Sequence, residues 1–152
     1  VTTVDVGPTP DAEQYHLFNR YLASRHADGE MVRMKERDYL DMVVSSPVAS
    51  TILEFRDDRG GLIGACLTDC LEDGYSAVYS FFDPDSAARS LGSFIILSLI
   101  QTAIRDGLPY VYLGFWIEDS PKMAYKKRFQ PLEGFGPTGW RHLEPPRDRD
   151  PR

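Results

Sequence analysis

Residues 79–92 read Tyr-Ser-Phe-Phe-Asp-Pro-Asp-Ser-Ala-Ala-Arg-Ser-Leu-Gly, and this stretch decides the fold. Its aromatic start is typical of a strand, and Asp83-Pro84 ends that strand. Ser90 predicts the N-cap of a long helix that continues to Arg105. The helix is apolar almost all round, so we expect it to be buried.

The start of this helix is a first candidate site. Backbone N–H groups at a helix N-terminus attract anions, and Gly92 lets a phosphate approach the backbone closely. Arg89 places a cation three residues earlier. Two interpretations of the pattern stay open: a modified acyl-carrier site, and an ordinary capped core helix.

The flanking segments predict a mixed sheet. Turn residues divide three strands into an antiparallel meander, and the long helix then crosses over to a parallel fourth strand. The predicted strands are Ile52–Asp57, Leu62–Leu71, Ser76–Phe82 and Tyr110–Trp116. The other predicted helices are Ala12–Arg25 with Asp11 as its cap, Glu36–Val44, and a basic helix from Pro121 to Phe129. The fold class is therefore α/β (α+β), a mixed, largely antiparallel sheet flanked by helices.

The order of elements predicts one main domain over residues 11–144. Residues 1–10 suit a linker or a strand, and the tail at 145–152, rich in proline, arginine and aspartate, suits a disordered end. The first residue is valine, so we expect the chain to be part of a longer protein. Cys66 and Cys70 are best explained as free thiols, which fits the cytoplasm, and no apolar run is long enough to span a membrane.

Charge is unevenly distributed along the chain. The net charge is −6, which argues against a protein that coats nucleic acid. Residues 1–85 carry seven Lys/Arg against 16 Asp/Glu, whereas residues 86–152 carry ten against seven. An RNA end or an acidic peptide is therefore expected to bind the second half, although a solvated surface with chance asymmetry fits equally.

Aromatic and basic residues cluster after the crossover. On the predicted strand, Tyr110, Tyr112, Gly114 and Trp116 would share one face that can stack on a base, although core packing is the commoner use of such a stripe. Basic residues follow on the predicted basic helix, namely Lys122, Lys126, Lys127 and Arg128. Two interpretations explain them: contact with phosphate or carboxylate groups of a ligand, and an ordinary solvated helix face.

The segment Leu113-Gly-Phe-Trp-Ile-x-x-Ser-x-Lys-Met-x-Tyr-Lys-x-x-Phe-x-Pro-Leu-Glu133 resembles the signature of the arginyl/leucyl-tRNA–protein transferases. Further motifs of this family occur in the same order, which makes the resemblance specific. They are His26-Ala-Asp-Gly-Glu-Met31, Glu54-Phe-Arg56, Thr68-Asp69, Asp73-Gly74, Ser76–Asp85 and Arg89–Gly92. The closer resemblance is to the bacterial aspartate/glutamate leucyltransferase branch.

The resemblance implies a GNAT-like acyltransferase fold, in which two parallel strands splay apart to admit an activated acyl group. It also implies transfer of leucine or arginine from charged tRNA to proteins that begin with Asp or Glu, in the N-degron pathway of protein degradation. Aminoacyl-tRNA would be a co-substrate, and no cofactor, metal, DNA or membrane partner is implied. We do not expect this sequence to contain the cysteine-rich N-terminal domain of the family.

Roles follow for individual residues if the chain catalyses this transfer. Asp69 is the candidate proton acceptor and Tyr79 the candidate donor to the oxyanion, although either can be structural. An acceptor carboxylate would bind one of three cations, namely Arg56, Lys122 and Lys126. The tRNA end would enter between Arg89–Gly92 and the strand that carries Tyr112 and Trp116.

Two alternatives belong to other classes of protein. One is a non-catalytic module with the same fold that binds tRNA or acidic N-termini. The other is a CoA-dependent N-acetyltransferase, which Phe94 disfavours because a large ring two residues after Gly92 is expected to crowd a pyrophosphate. A salt bridge from Arg56 to Asp69 or Glu54 is likewise an alternative to substrate binding by Arg56.

Overall fold

The computed structural model describes residues 1–25 and 34–146, without the side chains of residues 87–89. The chain forms two compact units, the first ending at Gly114 and the second beginning at Phe115. The first unit contains β1 (Thr2–Asp5), α1 (Ala12–Arg25), α2 (Glu36–Val44), β2 (Ser50–Arg56), β3 (Leu62–Cys70), β4 (Gly74–Phe82), a 3-10 segment (Pro84–Arg89), α3 (Leu91–Arg105) and β5 (Tyr110–Tyr112). The second contains a 3-10 turn (Ala124–Arg128), β6 (Glu133–Gly136) and β7 (Gly139–His142).

The sheet of the first unit has five strands in the order β1-β2-β3-β4-β5. The first four pair antiparallel, and β4 pairs parallel with β5. The predicted mixed sheet is therefore confirmed. Residues 2–5 take the strand alternative, because β1 pairs with β2 from Thr2–Arg56 to Asp5–Leu53.

Helices cover both faces of this sheet. From α1, Phe18 packs its ring on Phe81 of β4, with centroids 5.4 Å apart. Phe94 of α3 contacts Phe55 of β2 on the opposite face, with ring centroids 5.9 Å apart. Phe18, Phe55 and Phe81 are all buried, so the core has one layer on each side of the sheet.

The two N-terminal helices have the predicted bounds. Helix α1 is capped as expected, because the Asp11 carboxylate accepts a hydrogen bond from the Gln14 N–H at 2.8 Å. The Asp11 N–H in turn donates to the Gln14 side chain at 3.3 Å, which completes a capping box.

Two predictions about α3 are wrong. Ser90 makes no side-chain cap, because its backbone is left-handed (φ 49°) as the chain leaves the 3-10 segment. The helix is also not buried all round: Leu97 and Ile104 are 50% and 71% exposed. One face of α3 covers the sheet, and these two residues lie on its outer side.

Predictions for the last third of the chain were also partly wrong. Strand β5 stops at Tyr112, four residues early, and Gly114 has a positive φ of 75° that ends extended structure. The expected basic helix is only a 3-10 turn. The hairpin of β6 and β7 was not predicted, because its strands are four residues long and glycine-rich.

Two tyrosine–aspartate hydrogen bonds hold the end of the sheet where β4 and β5 pair. The Tyr75 hydroxyl on β4 donates to Asp106, just after α3, at 2.7 Å. The Tyr112 hydroxyl on β5 donates to Asp73, just before β4, at 2.8 Å. One bond thus ties the end of the crossover to β4, and the other ties β5 to the turn before β4. In the described ranges, no helix is both long and apolar enough for a membrane span.

Candidate functional site

The parallel strands separate soon after they begin to pair. Strand β5 contacts β4 only from Gly74 to Ser76, so residues 77–82 of β4 have no strand on that side in the described chain. A β-bulge also sets Val78 apart, because Leu67 of β3 pairs with Tyr79 and Thr68 pairs with Ala77. Backbone N–H and C=O groups on this open edge are available to a ligand.

The start of α3 lies beside the far end of β4. A Cβ added at Gly92 would lie 3.4 Å from the Phe82 ring, so the helix approaches β4 closely at this glycine. The ring of Phe94, expected to crowd an anion here, instead packs T-shaped against Phe55 in the core. The Arg89 side chain lies outside the described residues, as does the His26–Met31 motif.

Tyr79 lies on the part of β4 that pairs with β3 but not with β5, and it is half-buried. Its ring packs against Phe18 of α1, with centroids 5.7 Å apart. Burial raises the pKa of Tyr79 to about 12, so the phenol keeps its proton at neutral pH. A protonated hydroxyl is the form that can donate a hydrogen bond to an oxyanion.

Asp69 lies near the end of β3, opposite Ser76 of β4. Its carboxylate accepts hydrogen bonds from Ser50 at 2.7 Å and from Ser46 at 3.4 Å. These two hydroxyl donors hold the carboxylate against the segment that joins α2 to β2.

Arg56 ends β2 and binds two carboxylates. It is 2.9 Å from Glu13 and 2.8 Å from Glu54, whose side chain is only 3% exposed. Hydrogen bonds to Glu13 and Glu54 raise the Arg56 pKa. The predicted alternative, a salt bridge to Glu54, is therefore present, whereas Asp69 binds two serines instead.

Tyr112 belongs to the aromatic face that the sequence predicts on β5. Its ring lies 6.1 Å from that of Tyr110, so the two tyrosines do form an aromatic pair on β5. Its hydroxyl is bound to Asp73. Tyr112 therefore lies at the closed end of the two parallel strands, and the open edge begins beyond it.

Trp116 and the basic residues lie in the second unit. The Lys127 ammonium stands 4.9 Å from the Trp116 ring centroid, a cation–π contact. Lys126 donates to the Phe115 carbonyl at 2.7 Å, and burial lowers its pKa. Lys122 is exposed. An aromatic ring and ammonium groups thus occur together here, as the sequence pattern suggested.

Two features of the site were missed from the sequence. The bulge at Val78 has no signature in the sequence, because Ala-Val-Tyr is equally compatible with a regular strand. Arg20 of α1 binds both Asp83 and Asp85 after β4, at 2.7 and 2.8 Å. The Asp-Pro-Asp motif was visible, but nothing local identifies a partner 63 residues away.

Comparison with known proteins agrees with this geometry. Among solved structures, a putative acyl-CoA N-acyltransferase from Klebsiella pneumoniae is similar at a TM-score of 0.58 and 18% identity, over 89% of this chain and 85% of that one. The BH1408 protein of Bacillus halodurans is similar at a TM-score of 0.56 and 11% identity, over 83% and 90%. These likenesses show the fold, which is GNAT-like as expected.

Curated relatives are much closer in sequence. The aspartate/glutamate leucyltransferase of Paramagnetospirillum magneticum is 53% identical over 95% of this chain and 59% of its own length. That of Sphingomonas elodea is 51% identical over 90% and 55%. The chain thus spans between half and two thirds of the length of these relatives. The family model described as arginine-tRNA-protein transferase, C terminus, matches residues 13–136, and the chain therefore belongs to this family.

Proposed function

We propose that this chain is the acyl-transfer part of a cytoplasmic aminoacyl-tRNA–protein transferase. It would move leucine from charged tRNA to the N-terminal amine of proteins that begin with Asp or Glu, which marks them for degradation. The observation that carries the proposal is the open edge of β4 beside the start of α3, in a chain of this family. Relatives named aspartate/glutamate leucyltransferase support leucine as the donor residue.

In this reaction the protein mainly has to align the two substrates and stabilise the charge that develops on the carbonyl oxygen. The aminoacyl ester is already activated, and an α-amine with a pKa of about 8 is partly neutral in the cell. The amine attacks the ester carbonyl, loses a proton, and expels the tRNA 3′-terminal hydroxyl. An oxyanion forms on the carbonyl oxygen during this step, and pre-positioned donors stabilise it.

The residues of β4 suit the donor half of this reaction. Backbone N–H groups on the unpaired edge near Val78 would bind the carbonyl oxygen as it becomes charged. Tyr79 follows immediately and keeps its phenolic proton at neutral pH because burial raises its pKa to about 12. Gly92 and the start of α3 would accept the terminal phosphate of the tRNA. Arg89 and the Trp116 ring remain candidates for the phosphate and the terminal base.

The acceptor half needs a cation for the side-chain carboxylate of the N-terminal Asp or Glu. Arg56 already neutralises Glu13 and Glu54, so a third carboxylate would have to displace one of them. We therefore favour Lys122 or Lys126 in this role and assign Arg56 to the fold. Asp69 is the candidate proton acceptor, and its two serine donors hold the carboxylate in position.

A CoA-dependent acyltransferase is the second candidate. The fold is shared with a protein titled a putative acyl-CoA N-acyltransferase. The Phe94 ring also packs against Phe55 in the core, so the steric conflict expected between this ring and a pyrophosphate is weaker.

A transfer assay with the intact protein separates these functions. We expect transfer of labelled leucine from Leu-tRNA to peptides that begin with Asp or Glu, little transfer to the matched Asn and Gln peptides, and no transfer from acetyl-CoA. Asp69→Asn should reduce kcat by about 10²-fold or more, the usual scale of proton-transfer catalysis. Protection against thermal unfolding by acetyl-CoA, with none by Leu-tRNA, would instead favour the CoA enzyme. Binding of Leu-tRNA without any transfer would indicate a non-catalytic module.

A further inference from the structure

One basic side chain outside the predicted site holds the segment that leaves β4. A single nitrogen of Arg20, on α1, lies 2.7 Å from Asp83 and 2.8 Å from Asp85. These two residues flank Pro84: Asp83 follows the end of the open strand, and Asp85 lies in the first turn of the 3-10 segment before α3. The contact spans more than 60 residues of sequence, so it joins the first helix to the β4–α3 connection.

Asp83 is the centre of this arrangement. Its carboxylate also accepts hydrogen bonds from the Asp85 N–H at 3.2 Å and from the Ser86 hydroxyl at 3.0 Å. The Asp83 N–H donates to the Ile63 carbonyl of β3 at 2.9 Å. The connection is therefore tied to the sheet by its backbone and to α1 by its side chain. Asp83 is 19% exposed, so its charge is partly withdrawn from solvent.

We infer that Arg20 is a positioning residue for the charged tRNA, an inference that rests on the proposed function. The two carboxylates lie two residues apart and would repel each other without a cation between them. They would also repel the phosphates of a donor that binds at the open edge of β4 and the segment after it. Arg20 therefore holds this connection in place and neutralises two negative charges close to where an anionic substrate binds. It has no direct part in the chemistry.

The variant that tests this is Arg20→Met, with Arg37→Met as the matched control. Arg37 is an exposed arginine of α2 for which the described part of the chain offers no ion pair. We expect Arg20→Met to raise the KM for Leu-tRNA about fivefold, which corresponds to the upper range for an exposed ion pair. The kcat and the KM for the acceptor peptide should match those of the control. An unchanged KM for Leu-tRNA, or a loss confined to kcat, would overturn the inference.

A second substitution distinguishes charge neutralisation from a general loss of structure. Asp85→Asn removes an exposed carboxylate, so adding it to Arg20→Met should restore at least half of the lost affinity for Leu-tRNA on a logarithmic scale. A purely structural role predicts no such recovery, and its absence would contradict us. Should Arg20→Met fail to fold, Arg20→Gln takes its place, because glutamine removes the charge but keeps a polar side chain; an unchanged KM for Leu-tRNA in that variant would equally overturn the inference.

Hydrogen exchange separates failure of this inference from failure of the proposed function. Arg20→Met should speed amide exchange in peptides that cover residues 83–92, whether or not the protein transfers leucine. If the wild-type protein transfers no leucine, yet Arg20→Met still speeds amide exchange, the proposed function fails and the structural tie made by Arg20 is upheld. If exchange is unchanged, the tie itself is refuted.

Discussion

Replacement of Arg56 by methionine should destabilise the protein strongly, because the change leaves a buried carboxylate without its cation. The Glu54 side chain is 3% exposed and would keep one neutral donor, the Gln14 amide at 2.8 Å. Breaking such a buried pair costs about 3 kcal/mol or more, and the exposed pair with Glu13 adds little. For a chain of this size we expect the melting temperature to fall by roughly 6–12 °C. Urea unfolding followed by far-UV circular dichroism measures the free energy directly.

The control and the rescue make this prediction specific. Arg59→Met removes an equivalent charge at an exposed turn, and we expect its free energy of unfolding to stay within about 0.5 kcal/mol of wild type. Glu54→Gln in the Arg56→Met background should recover at least half of the loss, because a neutral amide is less costly to bury than an unpaired carboxylate. A loss below about 1 kcal/mol for Arg56→Met, with selective failure to transfer to Asp peptides, would refute the structural role and return Arg56 to the acceptor site.

Three further outcomes are expected. A Cβ at Gly74 would lie 2.3 Å from a backbone carbonyl oxygen of β5, so Gly74→Ala should lower the melting temperature by several degrees. Gly136 has open space around it, and Gly136→Ala should leave the melting temperature unchanged. Equal effects of the two substitutions would contradict the parallel pairing. Tyr79→Phe should lower kcat by about tenfold or more with the KM for Leu-tRNA unchanged, and full activity would exclude the hydroxyl as an oxyanion donor. The hydrogen bond from Arg56 lowers the pKa of Glu13 from 4.5, so this carboxylate stabilises the fold above that pH and loses its contribution as the pH falls through the lowered pKa. Urea midpoints should therefore fall less steeply on acidification in Glu13→Gln.

Local signals were enough to predict most of the first unit. The bounds of α1 follow from its capping aspartate and its apolar spacing, and α2 ends where Ser-Ser-Pro follows. Glycine-containing turns separated the three strands of the meander. These signals act within one or two turns of chain, which is why they can be read from a sequence.

Features that depend on distant partners were less predictable. Ser90 has the side chain of a cap, but the preceding 3-10 segment leaves its backbone left-handed. The early end of β5 depends on the backbone at Gly114, which has a positive φ. Glycine can adopt an extended or a positive-φ conformation, so the residue type alone does not predict where the strand ends. Of the candidate site residues, Tyr79 lies on the part of β4 beyond its pairing with β5 and Gly92 lies at the start of α3 beside Phe82, whereas the carboxylates that engage Arg56 could be identified only partly from the sequence. The sequence offers Glu54 as a partner two residues away, but Glu13 is 43 residues away.

The two tyrosine–aspartate bonds at the paired end of β4 and β5 have a kinetic consequence for the proposed reaction. They hold the strands together at Tyr75 and Tyr112, so in the described part of the chain the two strands separate only beyond Ser76. In the proposed reaction, charged tRNA would bind where the strands separate, and the spent tRNA would leave from the same place. Uncharged tRNA should therefore occupy the same opening as the next charged molecule and inhibit competitively with it, and turnover at high acceptor concentration should be limited by departure of the spent tRNA.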